Sequence, residues 1–347
     1  MTKKFLNQDE EKKFIDSINN LPYQCQQAFK EVQKIKLPSS YLNLEEIIIC
    51  GMGGSALGTD FLRYIFYFQI KKPIIIINNY SLPYYVSKKS LVIISSYSGN
   101  TEESVSCLKE ALNKKSKIII ITTDGKLSIL ARKNKIPAYI FEPKFNPSRQ
   151  PRMGLGYSIL AQLLILNKLR YLNIKKEEIK NNLNSFLRDN KNLIKKNAQL
   201  IAKKIKGKIP IVIAADFLSG NAHILSNQIN ENSKSFANYF LLPELNHHLM
   251  EGLKFPKLIE KKLIFLFLES NNYPPIIKKR ILITKKVLKQ NKIPFISYLT
   301  NNKGNFIEGL EILFWGSWLS FYLSKENQVN PSEIPYVDYF KEQLSKI

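Results

Sequence analysis

The sequence predicts an α/β protein that contains two doubly wound parallel sheets joined by helices. Three observations favour this class: short β-branched runs alternate with amphipathic helical patterns, the runs are apolar without interruption, and the chain has 347 residues. Central strands of a parallel sheet are buried on both faces and therefore read as continuous apolar runs. Because this length exceeds the usual size of one hydrophobic core, we expect two domains, at residues 1–150 and 151–347.

The first 150 residues contain five strand candidates in succession. In chain order they are EEIIICGMGGS, PIIIINNY, SLVIISSYSGN, KIIIITTDGK and PAYIFEP. Amphipathic segments such as EESVSCLKEALNKK separate them, which is the βαβ pattern of a parallel sheet. Ligands of such sheets bind at the carboxyl ends of the strands.

The second half begins, after FNPSRQPRMG, with a long helical stretch. Three strand candidates follow, IPIVIAA, LIFLFLES and IPFISYL, and the chain closes on helices that start near Phe306 and Pro335. The apolar span 306–323 carries Glu308 and Glu311, so we interpret it as a buried helix and expect no membrane association. The polar N-terminus MTKKFLNQDEEKKF has no apolar leader segment, which indicates a cytoplasmic protein.

The formal net charge of +24 raises the question of nucleic-acid binding. Only seven of the 52 basic residues are arginine, the residue preferred for bidentate recognition of bases and phosphates. The excess is lysine, spread along the chain beside abundant isoleucine and asparagine, whose codons are rich in A and T. This distribution favours compositional bias over a specific nucleic-acid surface, and non-specific polyanion binding stays as an alternative.

The cysteines and histidines are few and scattered. They are Cys25, Cys50, Cys107, His223, His247 and His248. An odd number of cysteines without CxxC spacing predicts neither a disulfide framework nor a zinc site, and three histidines make a His-rich metal site improbable. We therefore expect chemistry that needs no metal and no cofactor.

Two loops that follow neighbouring strand candidates are suited to hold an anion. The first, GMGGS, has glycines that let the backbone approach a ligand, but it lacks the GxGxxG spacing of a dinucleotide site. The second, SSYSGNTEES, offers the hydroxyls of Ser96, Ser98 and Thr101 around Gly99 at the start of a helix. The alternative interpretation of the second loop is an ordinary polar helix N-cap.

Five segments together resemble one protein family. They are GMGGSA, SYSGNTEES, QPRMG, NQINENSKSFANYFLLPELNHHLMEGL and NPSEIPYVDYFKEQL, in family order over nearly the whole chain. The family is that of the bifunctional phosphoglucose/phosphomannose isomerases, which are built of two SIS (flavodoxin-like) domains. The resemblance implies a metal-independent isomerase of carbohydrate metabolism, in glycolysis and gluconeogenesis. It would interconvert glucose 6-phosphate and fructose 6-phosphate, and also mannose 6-phosphate, as a homodimer with shared active sites.

The resemblance also implies roles for individual residues. The phosphate-binding positions correspond to Gly54, Ser55, Ser96, Ser98 and Thr101. Arg152 would stabilise an enediolate, Glu231 would be the base that moves a proton between C1 and C2, and His247 would open the sugar ring from the neighbouring subunit. Without the resemblance, a single Glu or His in such a sequence is more often an ordinary polar residue.

Two positions depart from the family pattern. His248 follows His247 where relatives commonly have asparagine, so either histidine could take the ring-opening role; the family spacing favours His247. Ser332 stands where relatives have the threonine of a DPTP stretch that is associated with tolerance of the C2 epimer, which leaves mannose 6-phosphate activity open. The alternative function is a SIS-type sensor that binds a sugar phosphate without turnover.

Overall fold

The computed structural model describes residues 7–188, 191–301, 304–344 and 346. Residues 1–6 of the N-terminal segment and residues 189–190 of the predicted helical stretch lie outside the described residues. The described chain opens with two helices that the sequence analysis did not predict, α1 (Gln8–Asn19) and α2 (Leu21–Val32). Helix α2 packs against the helix at residues 155–168, so the N-terminal helices contact the start of the second half of the chain.

The first sheet has the five predicted strands. They are β1 (Glu46–Cys50), β2 (Ile74–Ile77), β3 (Ser90–Ser95), β4 (Lys117–Thr122) and β5 (Ala138–Ile140). The helices between them are α3 (Gly54–Ile65), α4 (Glu102–Asn113) and α5 (Gly125–Lys133). All pairings are parallel in the order β2-β1-β3-β4-β5, the flavodoxin-like order. The continuous apolar runs therefore predicted this sheet correctly.

The second half starts with α6 (Leu155–Lys168), α7 (Lys176–Arg188) and α8 (Lys191–Ile205). It continues with β6 (Ile209–Ala215), α9 (Ser219–Ser233), β7 (Asn238–Leu242), α10 (Ile259–Lys262), β8 (Leu263–Glu269), α11 (Pro275–Gln290) and β9 (Phe295–Leu299). The last helices are α12 (Asn305–Glu326) and α13 (Pro335–Leu344). The sheet is parallel in the order β7-β6-β8-β9. The two parallel sheets confirm the predicted α/β class.

Strand β7 is the one described strand that the sequence analysis missed. It lies at the edge of the second sheet, and most of its residues are only half-buried, so NYFLL shows neither a continuous apolar run nor a clear alternation. The boundary between the domains at residue 150 stays a prediction. The two sheets lie on either side of it, at residues 46–140 and 209–299.

One hydrophobic core spans both halves of the molecule, with buried residues from both sheets and from α3, α6, α9 and α12. The predicted buried helix is confirmed as α12, which is buried along most of its length. In the part of the chain that the structure describes, no helix is long and apolar enough to cross a membrane.

The contact between α3 and α9 sets the position of the candidate site. A Cβ on Gly220 would overlap the backbone of Asp60, so glycine allows the two helices to approach closely. The buried Asp60 carboxylate pairs with His223 Nδ1 of α9 at 2.6 Å and with Arg63 at 2.8 Å. This contact joins a helix that begins beside the glycine loop to the helix that carries Glu231.

Candidate active site

The glycine loop between β1 and α3 lies against a second loop, at residues 150–154. Gly53 has a φ of +48°, in the left-handed region that favours glycine, and α3 begins at the next residue. A Cβ on Gly54 would lie 3.1 Å from the backbone nitrogen of Arg152. Glycine at position 54 thus allows the Arg152 turn to pack directly against the start of α3.

The hydroxyl loop follows β3, next to the glycine loop in the sheet. Ser96 Oγ and Thr101 Oγ1 are 2.8 Å apart, and Ser98 Oγ accepts a hydrogen bond from Asn100 N at 3.3 Å. Gly99 has a φ of +71°, and a Cβ there would overlap the carbonyl oxygen of Asp124. The loop therefore curls around a position that only glycine can occupy.

The alternative interpretation of this loop as a helix cap is not supported. Thr101 occupies the N-cap position of α4, but its side chain makes no capping hydrogen bond and contacts Ser96 instead. Gly53, at the N-cap of α3, has no side chain to cap with. Because neither helix start is capped by its N-cap side chain within the described residues, backbone N–H groups there are suited to an anion.

Ser55 connects the glycine loop to the hydroxyl loop. Its buried Oγ accepts a hydrogen bond from Tyr97 N at 3.0 Å. Since a hydroxyl carries one donor as well as its acceptor lone pairs, the Ser55 O–H can still donate. A small cleft beside it is lined by Gly54, Ser55, Tyr97, Pro151, Gly154 and Ser158, among others.

A polar network that sequence reasoning missed ties the hydroxyl loop to the Arg152 turn. Asn146 is fully buried, and its Nδ2 donates to Tyr97 Oη at 2.8 Å and to the carbonyl of Gln150 at 2.9 Å. Burial raises the pKa of Tyr97 to about 12, so its phenol stays protonated near neutral pH. The tight fit of Gly154 under the Tyr97 ring completes this contact.

Arg152 is only 2% exposed, and protein groups surround its guanidinium. Nε donates to Asn232 Oδ1 at 2.6 Å, and Nη1 donates to Gln150 Oε1 at 2.9 Å and lies 3.2 Å from Glu231 Oε2. Nη2 donates to the carbonyl oxygens of Pro331 at 2.6 Å and Ser332 at 3.3 Å. Burial lowers the pKa of Arg152 and the Glu231 carboxylate opposes this, so the group remains charged.

Glu231 and Asn232 are neighbours in the last turn of α9 but face different surroundings. The Glu231 side chain is 31% exposed and carries the ion pair to Arg152. Asn232 is fully buried and donates to Ser320 Oγ of α12 at 2.9 Å. Asn232 therefore fixes the Arg152 guanidinium from the core side. Sequence reasoning missed it, although it stands next to Glu231 in the NENSK motif.

The two adjacent histidines lie on the surface, in and just after a short helical turn that follows β7. His248 Nε2 lies 2.8 Å from Glu244 Oε2. Within the described part of the chain, His247 makes no hydrogen bond or ion pair with any other predicted site residue. A single chain therefore brings together the glycine and hydroxyl loops, Arg152, Glu231 and the backbone of Ser332, and leaves His247 outside this network.

Among the described residues, no group of three or more His, Cys, Asp and Glu side chains is arranged to hold a metal ion. Cys25, Cys50 and Cys107 are buried and free. The ion pair of the site joins Arg152 and Glu231, Lys234 lies beside it, and the charges of Glu333 and Asp338 act on these groups.

Two family models match the chain. The model described as "SIS domain" matches residues 41–169, and "Bacterial phospho-glucose isomerase C-terminal SIS domain" matches residues 194–344. A bifunctional phosphoglucose/phosphomannose isomerase of Caldicellulosiruptor bescii is 32% identical, over 96% of this chain and 99% of that protein. Its counterpart in Aquifex aeolicus is 31% identical, over 86% and 90%.

Solved structures share the fold at low sequence identity. The C-terminal domain of glucosamine-fructose-6-phosphate aminotransferase from Francisella tularensis superposes with a TM-score of 0.71 at 14% identity, over 92% of this chain and 98% of that one. Tagatose-6-phosphate ketose/aldose isomerase from Escherichia coli gives a TM-score of 0.69 at 14% identity, over 92% and 94%. These likenesses show the fold alone.

Proposed function

Because the chain belongs to the family of bifunctional phosphoglucose/phosphomannose isomerases, we propose that it interconverts glucose 6-phosphate and fructose 6-phosphate, and also mannose 6-phosphate. The observation that carries the proposal is the ion pair between Arg152 Nη1 and Glu231 Oε2, which are 3.2 Å apart. Arg152 lies on a turn that packs against the glycine loop, and Glu231 lies in α9. Aldose–ketose isomerisation requires a carboxylate that moves a proton between adjacent carbons and a cation that stabilises the intermediate oxygen anion.

The 6-phosphate would bind where the starts of α3 and α4 meet. Gly54 would let the phosphate approach the backbone, and Ser55, Ser96, Ser98 and Thr101 would donate hydroxyl hydrogen bonds to it. The Ser96 and Thr101 hydroxyls hydrogen-bond to each other, and a phosphate oxygen can replace that mutual bond without leaving a buried hydroxyl unpaired. Neutral donors suit a substrate that must be released after each turnover.

The proton transfer would occur at Glu231. Its carboxylate would take the proton from C2 of the aldose and return it to C1, while negative charge develops on the substrate oxygens as the enediolate forms. Arg152 would stabilise that charge through Nη1, the nitrogen that faces Glu231. The guanidinium donates four hydrogen bonds to protein oxygens, and Nη1 also lies 3.2 Å from Glu231, so substrate binding would exchange at least one of these partners.

Ring opening is assigned to His247 of a neighbouring subunit in a homodimer. Two features support this assignment: His247 is exposed and, among the described residues, makes no hydrogen bond or ion pair with Glu231, and helix α13 has no buried residue among those described. Tyr336, Tyr339 and Phe340 of α13 are 87%, 64% and 63% exposed. Such an apolar face is typical of a surface that another subunit covers.

Proton NMR of fructose 6-phosphate in deuterated water tests the reaction. We expect glucose 6-phosphate and mannose 6-phosphate labelled with deuterium at C2, and a loss of at least ~10³-fold in rate for Glu231→Gln, because the amide cannot accept the proton. Glu269→Gln is the matched control, since Glu269 is 21% exposed and ion-paired to Lys285. Full activity in Glu231→Gln, or no deuterium uptake with the wild-type protein, would refute the mechanism.

Mixing two inactive variants tests the shared site. If Glu231 and His247 act from different subunits, hybrids of Glu231→Gln and His247→Ala contain one intact site, and random mixing restores about a quarter of the wild-type activity. No recovery after subunit exchange, in a preparation that light scattering shows to be dimeric, contradicts the assignment. Repeating the experiment with His248→Ala distinguishes the two histidines.

The second candidate is a sugar-phosphate sensor. The full set of protein partners around Arg152 favours it, because a site that only binds needs no exchange of these partners. Calorimetry that detects tight fructose 6-phosphate binding by a protein without isomerase activity would establish this alternative. Cytoplasmic location and roles in glycolysis and gluconeogenesis stay predictions from the sequence.

A further inference from the structure

Lys234 joins the end of α9 to the C-terminal segment of the chain. It follows α9 directly, with a φ of +53°, and its Nζ donates to the carbonyl oxygen of Glu231 at 2.8 Å and of Asn330 at 2.5 Å. The first bond satisfies one of the last carbonyls of the helix, which have no partner within the helix. The second bond, to Asn330, caps no helix and joins Lys234 to a segment 96 residues away in sequence.

The segment that Lys234 holds is a turn at residues 330–333, here called the C-terminal turn. Asn330 Oδ1 accepts from Ser332 N at 2.8 Å, and Asn330 Nδ2 donates to Glu333 Oε1 at 3.0 Å. Folded in this way, the turn directs the carbonyl oxygens of Pro331 and Ser332 at Nη2 of Arg152. One side of the turn is therefore held by Lys234, and the other side holds Arg152.

We propose that Lys234 is a positioning residue, which clamps the C-terminal turn so that its carbonyl groups keep Nη1 of Arg152 directed at Glu231. The inference rests on the proposed isomerase function, within which it adds a residue that contacts no reacting atom. The geometry makes the role specific. Asn232 fixes Nε and the turn fixes Nη2, so the plane of the guanidinium is determined from two sides. Loss of one side lets the plane rotate.

The charges around Lys234 make the clamp sensitive to pH. The groups that face its ammonium are Arg152, Glu231 and Glu333. Although Lys234 is exposed as a residue, partial desolvation of its ammonium between the two carbonyls, and next the positive charge of Arg152, lower the pKa of Lys234 against the opposing effect of the two carboxylates. The direction of this pKa change follows from the contact with Arg152, and solvent at the exposed side reduces its size. The ammonium donates fully below its pKa and loses its charge as pH rises through that value, so the clamp weakens on the alkaline side.

A second attachment of the segment does not depend on pH. Asn327 Nδ2 donates to the carbonyl oxygen of Ser233 at 3.0 Å and to Ser235 Oγ at 2.8 Å. The C-terminal turn therefore remains near α9 when Lys234 is neutral or replaced. We expect a loosened turn and a misaligned Arg152 rather than an unfolded protein.

Steady-state kinetics of Lys234→Met tests the clamp. We expect kcat to fall roughly 10- to 100-fold while KM changes less than about 3-fold, because the geometry of the reacting end is disturbed and the phosphate loops are not. Lys234→Arg, which stays charged, should retain most activity at pH 7 and move the alkaline limb of the kcat profile to higher pH. Lys208→Met is the matched control, because Lys208 also donates to a backbone carbonyl, that of Lys261 at 2.6 Å.

Hydrogen–deuterium exchange of residues 327–334, measured without substrate, tests the clamp independently of the reaction. After correction for intrinsic exchange rates, wild-type protection should decrease between pH 7 and 9, and Lys234→Met should show reduced protection at both values. If the wild-type protein proves inactive on sugar phosphates while this exchange pattern holds, the proposed function fails and the clamp stands. Unchanged exchange and unchanged kcat in Lys234→Met overturn the proposal.

Discussion

The two sheets share a strand order in their first four strands, but different polar groups lie at their carboxyl edges. At the first edge, the loops after β1 and β3 present glycines and hydroxyls, and Ser98 is exposed. At the second edge, Glu308 and Glu311 of α12 are buried, and residues near the ends of β8 and β9 surround them. Glu308 accepts from Thr300 Oγ1 at 2.5 Å and from Asn272 Nδ2 at 2.6 Å.

Glu311 extends the same arrangement. It accepts from Tyr298 Oη at 2.7 Å and from the backbone N–H of Asn301 at 3.1 Å. The donors of the second edge are thus occupied by the protein's own carboxylates, whereas those of the first edge contact one another and can be released to a ligand. In this molecule the repeated fold places hydrogen-bond donors at the carboxyl edge of a sheet twice, and in one copy internal carboxylates accept from them.

The largest effect is expected from removing a buried carboxylate at the second edge. Glu311→Leu leaves the buried Tyr298 hydroxyl without its acceptor and removes the acceptor of the Asn301 N–H, so the free energy of unfolding should fall by roughly 2–4 kcal/mol. Urea denaturation measures the change, and Glu45→Gln, on an exposed ion pair with Lys89, should alter it by less than about 0.5 kcal/mol. A Glu311→Leu protein of wild-type stability would show that this carboxylate does not occupy the edge as described.

The next largest effect is expected from replacing Gly99, around which the hydroxyl loop of the first edge turns. Gly99→Ala places a methyl group against the carbonyl of Asp124 and should cost about 2–4 kcal/mol of stability while weakening fructose 6-phosphate binding. Gly207→Ala measures the cost of the backbone conformation alone, because Gly207 has a φ of +72° and no atom close enough for an added Cβ to overlap. Equal losses for the two variants would mean that the backbone conformation matters and the contact with Asp124 does not.

Removing one hydroxyl from the first edge should affect binding and leave stability unchanged. Ser98→Ala is expected to raise the Kd for fructose 6-phosphate about tenfold, through loss of a hydrogen bond to a charged group, as measured by calorimetry. Ser87→Ala is the control at the opposite end of β3, since Ser87 Oγ also accepts a backbone N–H two residues ahead. If Ser98→Ala changed the urea midpoint and left the Kd unchanged, the Ser98 hydroxyl would stabilise the fold and would not bind the ligand.

The smallest effect is expected at Ser332, which belongs to neither edge. Its carbonyl reaches Arg152 whatever the side chain, so Ser332→Thr should preserve the rate with glucose 6-phosphate. The added methyl should change the ratio of mannose 6-phosphate to glucose 6-phosphate formed from fructose 6-phosphate by less than about tenfold. NMR of the product mixture gives the ratio, and Ser40→Thr on the surface is the control. A large loss of both products would indicate disruption of the C-terminal turn instead.

Sequence patterns predicted the first sheet better than the second. The buried strands β1 and β3 follow directly from IIIC and LVIIS, because burial on both faces leaves an uninterrupted apolar run. The half-buried strand β7 gave no such signal, and α1 and α2 were not identified. The loop residues Ser96, Ser98 and Thr101 could be named because they follow a recognisable strand within a few residues, whereas Ser55 was named from the resemblance to the family.

The supporting residues could not be named in this way. Asn146, Asn232 and Lys234 are ordinary polar residues in sequence, and their importance comes from contacts with Tyr97, Arg152 and the C-terminal turn that no local pattern encodes. The resemblance to the family identified Arg152 and Glu231 but not what orients them.

By itself the sequence determined the α/β class and the two loops suited to an anion, because hydrophobic periodicity and loop composition act over short stretches of chain. The residues proposed for the chemistry came from the resemblance to the family. The tertiary structure alone decided that Arg152 meets Asn232, 80 residues away, and Ser332, 180 residues away. Those contacts depend on the close packing of α3 against α9 and on a buried guanidinium whose donors must all find acceptors. Among the described residues of one chain, His247 makes no hydrogen bond or ion pair with Arg152 or Glu231, and its proposed role from a second subunit stays a prediction.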